Sequence, residues 1–288
     1  MTRIEVEEKV FGFLKWASVA FFVLITAFPL LYMIALSFKP IERLLQNPAD
    51  LIPSLSEIFR LDTYREVLRS TDDGGQGFTR FISNSAVVAL ITVAVTTTIA
   101  IFAAYAAARL NFFGKRAISW GILIVYMFPA VVIAIPLFVV FSRLGLRDSL
   151  FGLIIVYVAQ TIPVALYMLR SYFLTVPASL EEAGLIDGLS RLGVIRRITL
   201  PLAAPAVAAV SLFVFMIAWN EFLFAFLFLV ENRDLWTLSL GVQQLDTTEV
   251  PRTLLMAGSV IITVPVIILF FFAERFLTEG LTAGGVKG

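Results

Sequence analysis

Charge-free apolar stretches separated by short polar segments organise this chain from end to end. They run Trp16–Phe38, Phe81–Ala108, Ala117–Ser142, Ser149–Leu169, Ile198–Asn220 and Thr253–Ala273. The fifth is expected to begin a few residues after Ile198 and to continue past Glu221 to about Val230. About twenty apolar residues cross a bilayer core as a helix, and the two-residue alternation of a membrane β-barrel is absent. The pattern therefore predicts an all-α integral membrane protein with six transmembrane helices. These lie near 16–38, 81–108, 117–142, 149–169, 203–230 and 253–273, in a single domain over 1–288 with a tail at 274–288.

The first stretch is too long for the apolar core of a cleavable signal, and Ser37-Phe38-Lys39-Pro40 is no small-x-small cleavage site. It reads as an uncleaved anchor. Prolines at positions 29, 129, 136, 163 and 265 fall inside the stretches. Each removes a backbone hydrogen bond and bends or breaks a helix. Pro129 and Pro136 mark the third stretch as the best place for such a bend.

The longest polar interruption in the second half runs from Arg170 to Pro201. Pro177 blocks continuation of the preceding span, and Ser179-Leu180-Glu181-Glu182 fits a capping box that opens a new helix. Leu180, Ala183, Gly184 and Ile186 offer a small, partly apolar face. Asp187-Gly188 signals a turn, because glycine takes positive φ without steric cost. A second segment follows from Ser190 to Thr199, with Leu192, Ile195 and Ile198 on one side and Arg191, Arg196 and Arg197 free to meet solvent or lipid headgroups. Physical chemistry leaves two readings open. The segment lies on the membrane as an amphipathic loop, or it presses into a groove on a soluble partner.

Composition narrows the chemistry. Hydrophobic residues make up 59% of the chain and charged ones 15%, too apolar for an ordinary water-soluble fold. Net charge is +1, which carries no nucleic-acid footprint. With no cysteine and no histidine, disulfides, Cys/His metal sites and Ser-His-Asp catalysis are excluded. No Gly-x4-Gly-Lys-Ser/Thr run occurs, so the chain does not itself encode a P-loop ATPase. Arg109, Lys115 and Arg116 sit in one short loop, which favours that side as cytoplasmic.

The run Glu182-Ala183-Gly184, three residues, Gly188, nine residues, then Ile198-x-Leu200-Pro201 resembles the EAA loop of bacterial ABC importer permeases. One position departs: Gly184 stands where the family usually has alanine. Tyr105-Ala106-x-Ala108-Arg109, Phe113-Gly114-Lys115, Met127-Phe128-Pro129, Trp219-Asn220-Glu221, Thr237-Leu238, Gly241-Val242-Gln243-Gln244 and the terminal Gly280–Gly288 run are similar to the maltose-type carbohydrate permeases. The resemblance covers nearly the whole chain.

That resemblance implies a type I ABC importer fold whose cytoplasmic coupling-helix loop, 177–201, docks on a separate ATPase subunit. Glu182, Ala183, Gly184, Asp187, Gly188, Ile198, Leu200 and Pro201 would form the coupling surface and its turn. The glycine-rich tail, through Gly284 and Gly285, would reach along the ATPase. ATP and Mg would be bound by the partner subunits, and no cofactor by this chain. The implied assembly holds a second permease subunit in a heterodimer, two ATP-binding subunits and an extracytoplasmic sugar-binding protein. It would sit in the bacterial inner membrane with both termini cytoplasmic.

Glu221 is the one carboxylate well inside an expected span. A charge there costs about 2.5–3.5 kcal/mol on insertion scales, so it should face protein or water. With Trp219 and Asn220 it offers an aromatic face and hydrogen-bonding groups that suit a sugar on the translocation path. A carboxylate that holds helices together is the competing reading. Two other functions stand against import driven by ATP. A secondary transporter would show internal repeats or paired intramembrane ions. A membrane enzyme would need clustered acids at a surface, and Glu181, Glu182 and Asp187 are the nearest such group.

Overall fold

In the computed structural model, residues 3–47, 50, 52–115, 117, 121, 124 and 127–283 are described. The chain divides into two compact units, Met1–Gly77 with Gln244–Ile261, and Phe78–Gln243 with Ile262–Gly288. Every regular element among the described residues is a helix.

The first unit opens with α1, Arg3–Ser37. Its 9–37 portion is charge-free over most of its length, and only 6% of an apolar 18-residue stretch within it is buried by this chain. A helix apolar on all sides needs lipid or another apolar surface around it. Three short helices follow, α2 (Ile41–Gln46), α3 (Leu55–Arg60) and α4 (Asp62–Leu68). They are tied down by polar contacts. The Ser37 hydroxyl lies 2.7 Å from that of Tyr64, and buried Lys39 pairs with Asp50 at 2.6 Å. Glu57 accepts from the Ser54 backbone N–H at 2.6 Å and lies 3.3 Å from Arg43. Burial works against this charge, yet the Ser54 donors with Arg43 and Lys39 hold the Glu57 carboxyl below its ordinary range.

The second unit is built on α5 (Phe78–Arg109), α6 (Ala130–Arg143) and α7 (Leu150–Phe173). It continues with α8 (Ala178–Ile186), α9 (Arg191–Leu202), α10 (Ala204–Asn220), α11 (Leu223–Leu229) and, as far as Gln243, α12 (Leu238–Leu245). The last helix, α13, runs Arg252–Ala283. Helices α5, α7 and α10 pack on one another around Ala100, Ala104, Ala165, Leu169, Val210 and Val214. Alanine at these contacts lets backbones approach closely, and dispersion between them replaces the hydrophobic drive that lipid cannot supply. The Thr96 and Thr161 hydroxyls meet at 2.9 Å inside this packing.

Four described helices are long and apolar enough to cross a membrane, and the bent pair Arg191–Leu202 with Ala204–Asn220 raises the number to five. The expected span 117–142 falls partly outside the described residues. Its second part is α6, and Pro129 stands before this helix in extended conformation rather than within it. The stretch expected as one span at 203–230 is two helices, with Glu221 and Phe222 at the break. Most of the expected tail is helical, because α13 continues to Ala283. Gly284 and Gly285 lie outside the described residues.

Candidate functional site

The polar interruption between α7 and α10 folds as a compact helical knob. Helix α8 begins at Ala178 with Pro177 at its cap, and no side chain caps it. The expected capping box at Ser179 and Glu182 does not form. Pro177 already supplies the fixed φ that starts a helix, and the serine therefore lies inside the first turn. At the other end, Gly188 has φ +87°. Its N–H reaches the Leu185 carbonyl at 3.1 Å and the Leu189 N–H reaches the Gly184 carbonyl at 2.9 Å. This is a Schellman closure, in which a left-handed residue returns the chain along the helix it has just left.

Gly184 faces that return. A β-carbon at this position would lie 2.5 Å from Ile198 Cδ1 and 3.3 Å from Leu189 Cδ1. The departure from alanine thus lets Ile198 of α9 seat directly on the α8 backbone. Ser190 caps α9, accepting from the Gly193 N–H at 3.2 Å. Residues Ile195–Thr199 are wound as a π turn, which accommodates one extra residue in a helix. The chain then bends by 81° between α9 and α10. Pro201 and Pro205, which offer no N–H to a continuous helix, flank that bend.

The knob separates its side chains sharply. Glu182, Ala183, Leu185, Ile186, Asp187 and Gly188 are exposed, and Ile186 is 85% exposed. Gly184 is buried, Ile198 and Leu200 are half-buried, and Pro201 is exposed. Glu181, one residue before the expected contact glutamate, is 4% exposed. Its Oε2 accepts from Arg109 Nε at 3.0 Å and its Oε1 accepts from the Thr199 hydroxyl at 3.1 Å. A second arm of Arg109, Nη2, donates to the Val176 carbonyl at 2.7 Å. Sequence reasoning placed Glu181 and Arg109 in separate arguments and missed that they meet. A buried acid is signalled by its position in an amphipathic helix, whereas its partner 72 residues away is not.

The three residues expected on the translocation path are not presented together. Trp219 is buried, stacks on Phe215 at 5.2 Å and donates from Nε1 to the Ile262 carbonyl at 2.9 Å. Asn220 is exposed and donates to the Met216 carbonyl one turn back at 2.8 Å. Glu221 stands at the break between helices. Its carboxylate accepts from the Tyr157 hydroxyl at 2.6 Å, the Phe224 N–H at 3.0 Å and the Ala225 N–H at 3.2 Å. Its carbonyl accepts from the Ser239 hydroxyl at 2.6 Å. Glu221 therefore caps α11 and fixes the break against α7 and α12. A cavity of about 520 Å³ nearby is walled by Phe128, Leu137, Phe141, Val156 and Phe224, with Gln160 its one polar wall residue. None of Trp219, Asn220 and Glu221 lines it.

Among the described residues no cluster of acids, cysteines and histidines is arranged to hold a metal ion.

Comparison with known proteins agrees with this architecture. Residues 96–282, which contain the knob and the helices packed around it, match the family described as binding-protein-dependent transport system inner membrane component. The chain is 38% identical over 274 residues to the inner membrane ABC transporter permease protein YcjP of Escherichia coli K12, covering 95% of each. It is 35% identical over 267 residues to the trehalose/maltose transport system permease protein MalG of Thermococcus litoralis, covering 92% of this chain and 93% of the relative. In fold it matches a chain of a bacterial ABC transporter involved in import of the acidic polysaccharide alginate, with TM-score 0.78 and 24% identity over 96% of this chain and 98% of that one. The chain thus belongs to the binding-protein-dependent transport system inner membrane component family, as an ABC transporter permease subunit of type I importer fold and not as an enzyme.

Proposed function

We propose that this protein forms half of the translocation path of an ATP-driven importer for a di- or oligosaccharide, with the 177–201 loop as its coupling element. The observation that carries the reading is the knob itself. A rigid helix with exposed Glu182, Leu185 and Ile186 ends in a glycine turn at the junction of two apolar helices. A charged and apolar face of this size suits the groove of a soluble partner, and the chain carries no nucleotide loop of its own.

In this reading two ATP-binding subunits hold ATP and Mg, and their closure moves α8. Glu182 meets a basic residue of the ATPase, while Asp187 and Gly188 keep the turn. A second permease completes the path, since the spans of this chain alone are too few to enclose a sugar conduit. An extracytoplasmic binding protein delivers the sugar. The carbohydrate class follows from likeness to the trehalose/maltose permease. The knob side is cytoplasmic and so are both termini, in a bacterial inner membrane, with Gly284 and Gly285 reaching toward the ATPase.

The test is uptake by inverted-topology-controlled membrane vesicles holding the whole transporter, supplied with labelled trehalose and maltotriose and the cognate binding protein. Uptake should require ATP and ignore collapse of the proton and sodium gradients. Gly188→Pro imposes a φ near −65° where +87° is required and removes the N–H bonded to Leu185. It should abolish uptake with the chain still in the membrane, and Glu182→Ala should uncouple ATP hydrolysis from uptake. Gradient-driven uptake indifferent to ATP, or coupled uptake in both variants, would sink the proposal.

A further inference from the structure

We infer that Arg109 and Glu181 are positioning residues that lock the coupling knob to the membrane helices, so that movement of α8 is delivered to the bundle as a rigid body. The inference rests on the coupling reading above and goes beyond it by naming the link that carries the motion. The exposed members of the expected coupling set do not supply that link. Glu182, Ala183, Asp187 and Gly188 face outward, so they can receive force but cannot pass it inward.

Glu181 can. It lies on the opposite face of α8 and is 4% exposed. The Arg109 side chain is 13% exposed. Arg109 is the last residue of α5, and its planar fork engages two segments at once. Nε holds Glu181, and Nη2 holds the Val176 carbonyl in the turn that follows α7. A guanidinium suits such a junction because its donors are fixed in one plane. The other oxygen of Glu181 takes the Thr199 hydroxyl from the π turn that leads into α10. The Arg109–Glu181 pair thus ties the end of α5 to the turn that enters the knob, through the Val176 carbonyl, and to the segment that leaves it, through Thr199.

Two features make this junction stiff. Ile198 seats on Gly184 with no side chain between them. Ile195 and Ala203 bury in the same cluster as Ala104, Tyr105 and Phe173, so the knob's base and the ends of α5 and α7 share one packed core. A slide of α8 over the bundle would separate buried opposite charges, a far costlier event than sliding an apolar contact. Discrete, packed contacts of this kind transmit displacement instead of absorbing it.

The chain has no cysteine, so single reporters can be placed in it without background from the chain itself. In the assembled transporter, Asn220→Cys is labelled with a water-soluble maleimide, with and without ATP plus vanadate. Ala183→Cys is cross-linked to the ATP-binding subunit with a thiol–amine reagent. Removing one partner alone would strand a buried charge, so the decisive variant is the double Arg109→Met, Glu181→Leu, which removes both charges and keeps apolar bulk. With Arg109 and Glu181 present, nucleotide should change the Asn220→Cys labelling rate by at least about fivefold, the low end of ordinary coupling between sites. In the double variant the Ala183→Cys cross-link and ATP hydrolysis should persist while the labelling response falls below about twofold. Arg109→Lys keeps the charge but loses the fork, and should give an intermediate response. A full response in the double variant overturns the lock while leaving the coupling loop standing. No Ala183→Cys cross-link in the otherwise unaltered chain overturns the coupling reading, and the lock with it.

Discussion

Glu181 and Glu221 are both acids held inside a protein that is mostly apolar, and they are satisfied in opposite ways. Glu181 meets a cation and a hydroxyl from two separate segments, and the same cation holds a third through the Val176 carbonyl. Glu221 meets neutral donors alone among the described residues: one phenol and the first free N–H groups of the helix that follows it. The first arrangement binds distant pieces together. The second lets a helix stop and restart within a few residues, with the carboxylate at the positive end of α11. An acid therefore serves as a tie where it is buried and as a cap where it is half-buried, and neither arrangement needs a ligand to explain it.

The comparison is broken most severely by stranding a charge. Glu181→Leu leaves Arg109 buried without its counter-ion, which costs about 3–5 kcal/mol. The purified transporter should lose its monodisperse elution at a much lower temperature, and the ATP-binding subunit should be lost with it. An unchanged midpoint would mean that the Arg109 charge finds water, and the distinction between tie and cap would fail.

Tyr157→Phe tests the cap. It deletes a 2.6 Å hydrogen bond to the Glu221 carboxylate, and a bond to a charged group contributes about 1.5–3 kcal/mol. The backbone donors from Phe224 and Ala225 remain, so the loss should be smaller than for Glu181→Leu. A thermal midpoint falling as far as in that variant would show that Glu221 depends on the phenol and not on the helix terminus.

Thr199→Val removes only the hydroxyl that completes Glu181. This bond also reaches a charged group, but at 3.1 Å against 2.6 Å for Tyr157 it falls at the low end of that range, about 1.5 kcal/mol. Valine keeps the volume but not the bond, and the Arg109 pair survives. The same melting measurement should place this variant between Tyr157→Phe and the unaltered protein.

How much of this was legible in the sequence depends on range. The apolar runs are local, and helices α1, α5, α7 and α13 overlap the stretches read at 16–38, 81–108, 149–169 and 253–273. The turn at Gly188 was legible for the same reason, because a left-handed residue leaves its mark at one position. The break at Glu221 was not, since averaging hydropathy over Trp219–Val230 hides one carboxylate among aromatics. Capping shows how a local pattern fails when a neighbour competes. Ser179-x-x-Glu182 matches the box but follows Pro177, which opens the helix two residues too early. Ser54-x-x-Glu57 matches it equally and forms the contact, with the Ser54 N–H bonded to Glu57. The Arg109–Glu181 pair lay beyond reach, because nothing within either segment encodes the packing that brings α5 against the knob.

The smallest expected change sharpens the contrast between scaffold and path. Asn220 is the one residue of Trp219-Asn220-Glu221 that is exposed, and among the described residues its side chain bonds to the Met216 carbonyl of its own helix. Asn220→Ala should shift stability by no more than about 0.5 kcal/mol, as for ordinary exposed positions. Any effect on transport then cannot come from unfolding. If Asn220 touches passing sugar, the variant should raise the substrate concentration for half-maximal uptake of trehalose or maltotriose while ATP hydrolysis and melting stay level. An unaltered uptake curve would remove the last member of this run from the path, and leave Trp219 and Glu221 as the packing and the cap that shape the helix break beside it.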